Sequence, residues 1–104
     1  MADLIMDKVP PQAIEAEMAV LGSMIIEKEA VIKALDIIDE TDFYRDINAR
    51  IFKIVKGLFM ENHPVDSLSL IEELKKNNLF ETVGGAAFIA GLMNAVTTAA
   101  NVEY

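Results

Sequence analysis

The sequence contains no cysteine, which excludes a disulfide framework and a thiolate metal site and fits a reducing compartment. Basic residues are scarce. Nine Lys and Arg against seventeen Asp and Glu leave a net charge of −8, and a surface of that sign repels phosphate backbones, so direct nucleic-acid binding by these residues is disfavoured. The first residues, Met1 to Lys8, include Asp3 and Asp7 and lack the basic start and unbroken apolar run of a signal peptide, so no export signal is expected. From Thr82 to Val102 there is no charge at all. That length could in principle cross a bilayer, but Gly84, Gly85, Gly91, Asn94, Thr97, Thr98 and Asn101 interrupt it. The apolar run Ala86 to Met93 falls far short of the roughly 20 residues a span requires. A buried helix is expected instead.

The means of catalysis are also missing. No Gly-x-x-x-x-Gly-Lys loop is present to cradle a triphosphate, nor a Gly-x-Ser-x-Gly elbow, and Gly84-Gly85 is not followed by a lysine. His63, the one histidine, stands in a turn before Pro64, where an exposed side chain without catalytic consequence is expected. Asp36, Asp39, Glu40, Asp42 and Asp46 form an acidic corner whose spacing fits no calcium loop. The plain reading is a solvated surface; the competing one is a divalent-metal hydrolase site. No catalytic, cofactor-binding or metal-binding residue is therefore assigned.

What is present is a helical pattern. Hydrophobic residues make up 53% and charged residues 25% of 104 positions, enough apolar surface for a single folded domain. Pro10-Pro11 closes an N-terminal arm and can enter a helix. Ile14, Met18, Leu21 and Ile25 recur on one stripe of a helix from about Gln12 to Ile26, with Glu15 and Glu17 in the first turn, and Gly22 would let a neighbouring backbone come close. A second helix is expected over Lys28 to Asp39, with Val31, Ala34, Leu35 and Ile38 inward. A third spans about Arg45 to Glu61, with Ile47, Ile51, Ile54 and Leu58 inward, and Asn62-His63-Pro64 stops it. Asp66, Ser67 or Ser69 can cap a fourth that reaches Asn77, and Ser69 with Glu72 has capping-box spacing. After Gly84-Gly85 a fifth runs from Ala86 to Ala95, and Thr97 or Thr98 can start one more. No apolar and polar alternation persists between turn residues. The fold class is all-α: a compact orthogonal cluster of five or six helices in one domain.

Several short segments carry a family likeness. Pro10-Pro11, Glu15-Ala16-Glu17 with Val20-Leu21-Gly22, Asp42-Phe43-Tyr44 followed by Ile51-Phe52, Pro64-Val65-Asp66, Gly84-Gly85, and Thr98-Ala99-Ala100-Asn101 with Tyr104 resemble, in order and spacing, the N-terminal domains of DnaB-type bacterial replicative helicases. The likeness runs from about Val9 to the end. Asn48, Phe88 and Thr97 depart from it, standing where histidine, tyrosine and proline are frequent.

The resemblance implies a parent that is a hexameric, ATP-driven, cytoplasmic bacterial helicase. Its phosphate loop, ATP and Mg2+ would belong to a C-terminal motor that these residues do not include. Here it implies a collar module: residues 1–9 a mobile arm, 10–97 the globular part, and 98–104 the start of a helical hairpin through which copies pair into a ring. Primase is the implied partner, with a helicase loader as another. Phe88, Leu92, Val96 and Val102, at the uncharged end, are the candidate partner contacts, since apolar anchors carry most interface energy. A free-standing helical adaptor of the same fold is the alternative.

Overall fold

The computed structural model describes the backbone of residues 11–102 and the side chains of residues 13–96. The N-terminal arm and the side chains after Val96 lie outside these limits. Within them the chain forms six α-helices and one 3-10 turn: α1 (Pro11–Ile26), α2 (Lys28–Ile37), the turn Glu40–Asp42, α3 (Asp46–Met60), α4 (Ser67–Lys76), α5 (Phe80–Val83) and α6 (Gly85–Val102). The all-α expectation holds, with a Cα radius of gyration of 13.4 Å, close to the roughly 13 Å expected for a compact domain of this length.

The helix ends follow from local hydrogen bonding. α2 stops two residues before the expected Asp39 because Ile38 is extended, at φ −118° and ψ 147°. Asp39 is committed to the next turn: its carboxylate accepts the Glu40 N–H at 2.9 Å, while its own N–H donates to Asp42 Oδ2 at 2.8 Å. Such side-chain bonds draw the backbone out of a helix. The acidic corner is thus partly consumed in shaping this turn.

α3 and α4 end alike. Asn62 and Asn78 take left-handed conformations at φ 61° and 59°, and the next residue in each case donates back into the helix, His63 N–H to Leu58 O and Leu79 N–H to Leu74 O, both at 2.8 Å. Asparagine tolerates this region better than most residues. At the start of α4 the cap is Asp66, which accepts the Ser69 N–H at 2.8 Å; the Ser69 and Glu72 capping box does not form.

One element was not foreseen, the short helix Phe80–Val83, and one further expectation is corrected. The break at Thr97–Thr98 does not occur, because α6 continues through both residues to Val102. Each added residue of an existing helix gains a backbone bond without a new nucleation cost, and that outweighs a threonine's preference for a cap.

The core joins Leu21 and Met24 of α1, Val31 of α2, Ile51, Phe52 and Val55 of α3, Leu70 and Leu74 of α4 and Leu92 of α6, each at most 1% exposed. On α3 the buried stripe is Asn48, Ile51, Phe52, Val55 and Leu58. Ile47 and Ile54 fall on its edges, half-buried, so the expected stripe was rotated toward one side. The Phe52 ring packs 5.2 Å from that of Phe43, centroid to centroid.

Candidate docking surface

α6 is aimed by the two glycines before its first full turn. Gly84 and Gly85 adopt φ 115° and 65°, values that a side chain would strain. A Cβ on Gly85 would sit 3.8 Å from the Phe80 ring, and Lys75 Nζ lies 5.1 Å from the centre of that ring on the α4 side. The chain thereby turns onto α1, and the two helices meet at Gly22. A Cβ there would stand 2.6 Å from Val96 Cγ2 and 2.9 Å from the Leu92 carbonyl carbon, and would collide with the Leu92 carbonyl oxygen. The close approach read from Gly22 in the sequence is therefore made, and its partner is backbone.

This crossing sorts the four candidate contacts. Leu92 is fully buried against the core, which corrects its assignment: with Gly22 pressed on its carbonyl it has no surface to offer a partner. Phe88 and Val96 are half-buried, the disposition of residues that can contact both their own core and a visiting molecule. Val102 lies outside the described side chains. Ala86, Ala87, Ala90 and Asn94 are exposed on the same helix, so its outer face is small and uncharged.

The polar group that sequence reasoning misplaced is Glu17. Because α1 starts at Pro11, Glu17 belongs to its second turn and is only 9% exposed. Its carboxylate accepts the Tyr44 N–H at 2.6 Å, the Arg45 N–H at 3.5 Å and the Asn48 Nδ2–H at 3.0 Å. Arg45 is the N-cap residue of α3 and caps nothing with its own side chain. Glu17 thus supplies from another helix the acceptor that the N-terminus of α3 needs. The departure at Asn48 bears directly on this buried contact. Asn48 is 1% exposed and its Oδ1 has no hydrogen-bond partner.

Bordering this clamp lies a depression of about 320 Å³ lined by Ala13, Ala16, Val20, Ile38, Phe43 and Tyr44 together with the carboxylate residues Glu17 and Asp42. No helix among the described residues is long and apolar enough to cross a membrane.

A helical domain whose buried carboxylate ties helices together, and whose longest helix offers a small, uncharged outer face, is a module of the all-α class. Comparison with known proteins gives the family. Residues 9–104 match the DnaB-like helicase N terminal domain family, and the chain belongs to it. It is 44% identical over 97 residues to the replicative DNA helicase DnaB of Rhodothermus marinus, which covers 93% of this chain and 10% of that protein. It is 39% identical over its whole length to the replicative DNA helicase DnaC of Bacillus subtilis, spanning 23% of that protein. The crystal structure of the N-terminal domain of DnaB helicase from Mycobacterium tuberculosis superposes with a TM-score of 0.79 at 31% identity, covering 85% of this chain and 61% of that one. The chain therefore spans about a tenth to a quarter of the curated relatives it matches.

Proposed function

We propose that this chain is the collar module of a bacterial replicative helicase, assembling the ring and docking primase while the motor lies in sequence beyond it. The observation that carries this reading is α6, uncharged from Gly85 to Val102, in a chain whose relatives in Rhodothermus marinus and Bacillus subtilis are helicases several times longer. Phe88 and Val96 are its contact residues. Residues 98–104 lead into the hairpin that pairs copies, and the arm 1–9 precedes the globular part. ATP and Mg2+ serve the motor, and a helicase loader is a second partner. The assembly works in the bacterial cytoplasm.

The test is a calorimetric titration with the C-terminal domain of the cognate primase, using this chain and a longer one that carries the hairpin. Binding should be stronger for the longer chain, because paired sites raise the effective concentration. Phe88→Ala should weaken it by more than tenfold, the loss expected of a packed aromatic anchor. Equal binding by wild type and Phe88→Ala in the longer chain would remove Phe88 from the docking surface.

A further inference from the structure

α1 carries a second apolar stripe that the described residues leave open. Met18, Leu21 and Ile25 turn into the core, whereas Ala13, Ala16 and Val20, again at steps of three and four, border the depression of about 320 Å³ that Ile38, Phe43 and Tyr44 complete. Ala16 and Tyr44 are exposed there. Phe43 forms a firm floor, since its ring rests on the buried Phe52. The lining includes two carboxylates and, among the described residues, no Lys or Arg. Glu17 is engaged by the donors of the clamp, and Asp42 accepts the Asp39 N–H while remaining exposed. The site therefore suits an apolar segment that brings a cation.

The position of the depression says which segment. Ala13 lies two residues after α1 begins at Pro11, so residues 1–10, outside the described backbone, join the fold at its edge. A residue before proline is disfavoured in the helical region, which leads the chain off the axis of α1 at Pro10 instead of prolonging the helix. In an extended strand alternate residues share a face. That spacing sets Leu4, Met6 and Lys8 together and puts Asp3, Ile5 and Asp7 on the opposite side. From Leu4 to Lys8 such a strand covers about 13 Å, close to the roughly 10 Å between Ala13 and Val20 along the helix.

We infer that the chain's own N-terminal arm folds back along α1, with Leu4 and Met6 in the depression, Lys8 answering the negative charge of its lining, and both aspartates turned to solvent. A tether this short holds the segment at a millimolar effective concentration, so a contact worth only a millimolar Kd between separate molecules is about half formed within one. The depression has no lining residue from α6, and the inference stands apart from the docking of primase.

The absence of cysteine makes Ala2→Cys a unique site for a nitroxide label, and paramagnetic broadening of amide signals in the nitrogen-15 spectrum of the full chain tests the contact. Ile38, Phe43 and Tyr44 should broaden. Leu4→Asp should remove most of that broadening, and so should Ala16→Glu, which fills the site from an exposed position. Ile5→Asp adds the same charge as Leu4→Asp one position along, on the face turned outward, and should leave the broadening in place. Equal broadening in all of these chains would mean an arm that is tethered without being docked, and it would overturn the inference. Broadening that passes from nitroxide-labelled copies to separate nitrogen-15 copies would make a second chain the occupant and would overturn it too.

Discussion

Replacing Gly22 with alanine adds one methyl group where α1 crosses α6. That methyl has two opposing effects. It raises helix propensity by about 1 kcal/mol, and it drives a carbon into the Leu92 carbonyl and to 2.6 Å from Val96 Cγ2. Overpacking by one carbon costs typically about 1–3 kcal/mol, and the upper part of that range applies where the obstacle is backbone that no rotamer change can move. The net expectation is a loss of about 2 kcal/mol. For a domain of this size that lowers the thermal midpoint by about 8–16 °C. Thermal unfolding followed by circular dichroism measures it, and Gly57→Ala is the control. With nothing within 4 Å of its Cβ, that variant keeps only the propensity gain and should melt about 4–8 °C higher than wild type. If Gly22→Ala melts at or above the wild-type temperature, the helix crossing is not as tight as described, and the burial of Leu92 loses its explanation.

Two further substitutions probe polar contacts. Glu17→Gln keeps the shape of the side chain but turns an NH2 group toward N–H donors, and the loss of charge-assisted bonds to Tyr44 and Asn48 should cost about 2–3 kcal/mol in urea unfolding, with faster amide exchange at Tyr44; an unchanged midpoint would mean the clamp is not formed. Asp66→Ala removes the only side-chain acceptor at the start of α4 and should cost about 1 kcal/mol by the same measurement, whereas Ser69→Ala, whose hydroxyl caps nothing, should change little.

Much of the fold was legible because helices announce themselves locally. Apolar residues at steps of three and four placed five of the six helices, and the positions of Pro11, Asp66 and Gly84-Gly85 marked where chains enter and turn. The family likeness, held in short ordered segments, was legible for the same reason. What remained hidden depended on residues distant in sequence. Glu17 lies 27 positions before Tyr44, and nothing in its own neighbourhood tells a surface carboxylate from one that caps a helix elsewhere. Leu92 and Phe88 stand one turn apart on the same uncharged helix, equivalent as sequence.

The chain's own order of residues set most of its secondary structure and its acidity, since each follows from side chains and their near neighbours. Tertiary packing alone settled which face of each helix is used: the backbone approach at Gly22, too close to admit a methyl group, buries Leu92 and leaves Phe88 and Val96 half-buried. Burial is a property of what else occupies the space, and that is decided only when α1 and α6 come together.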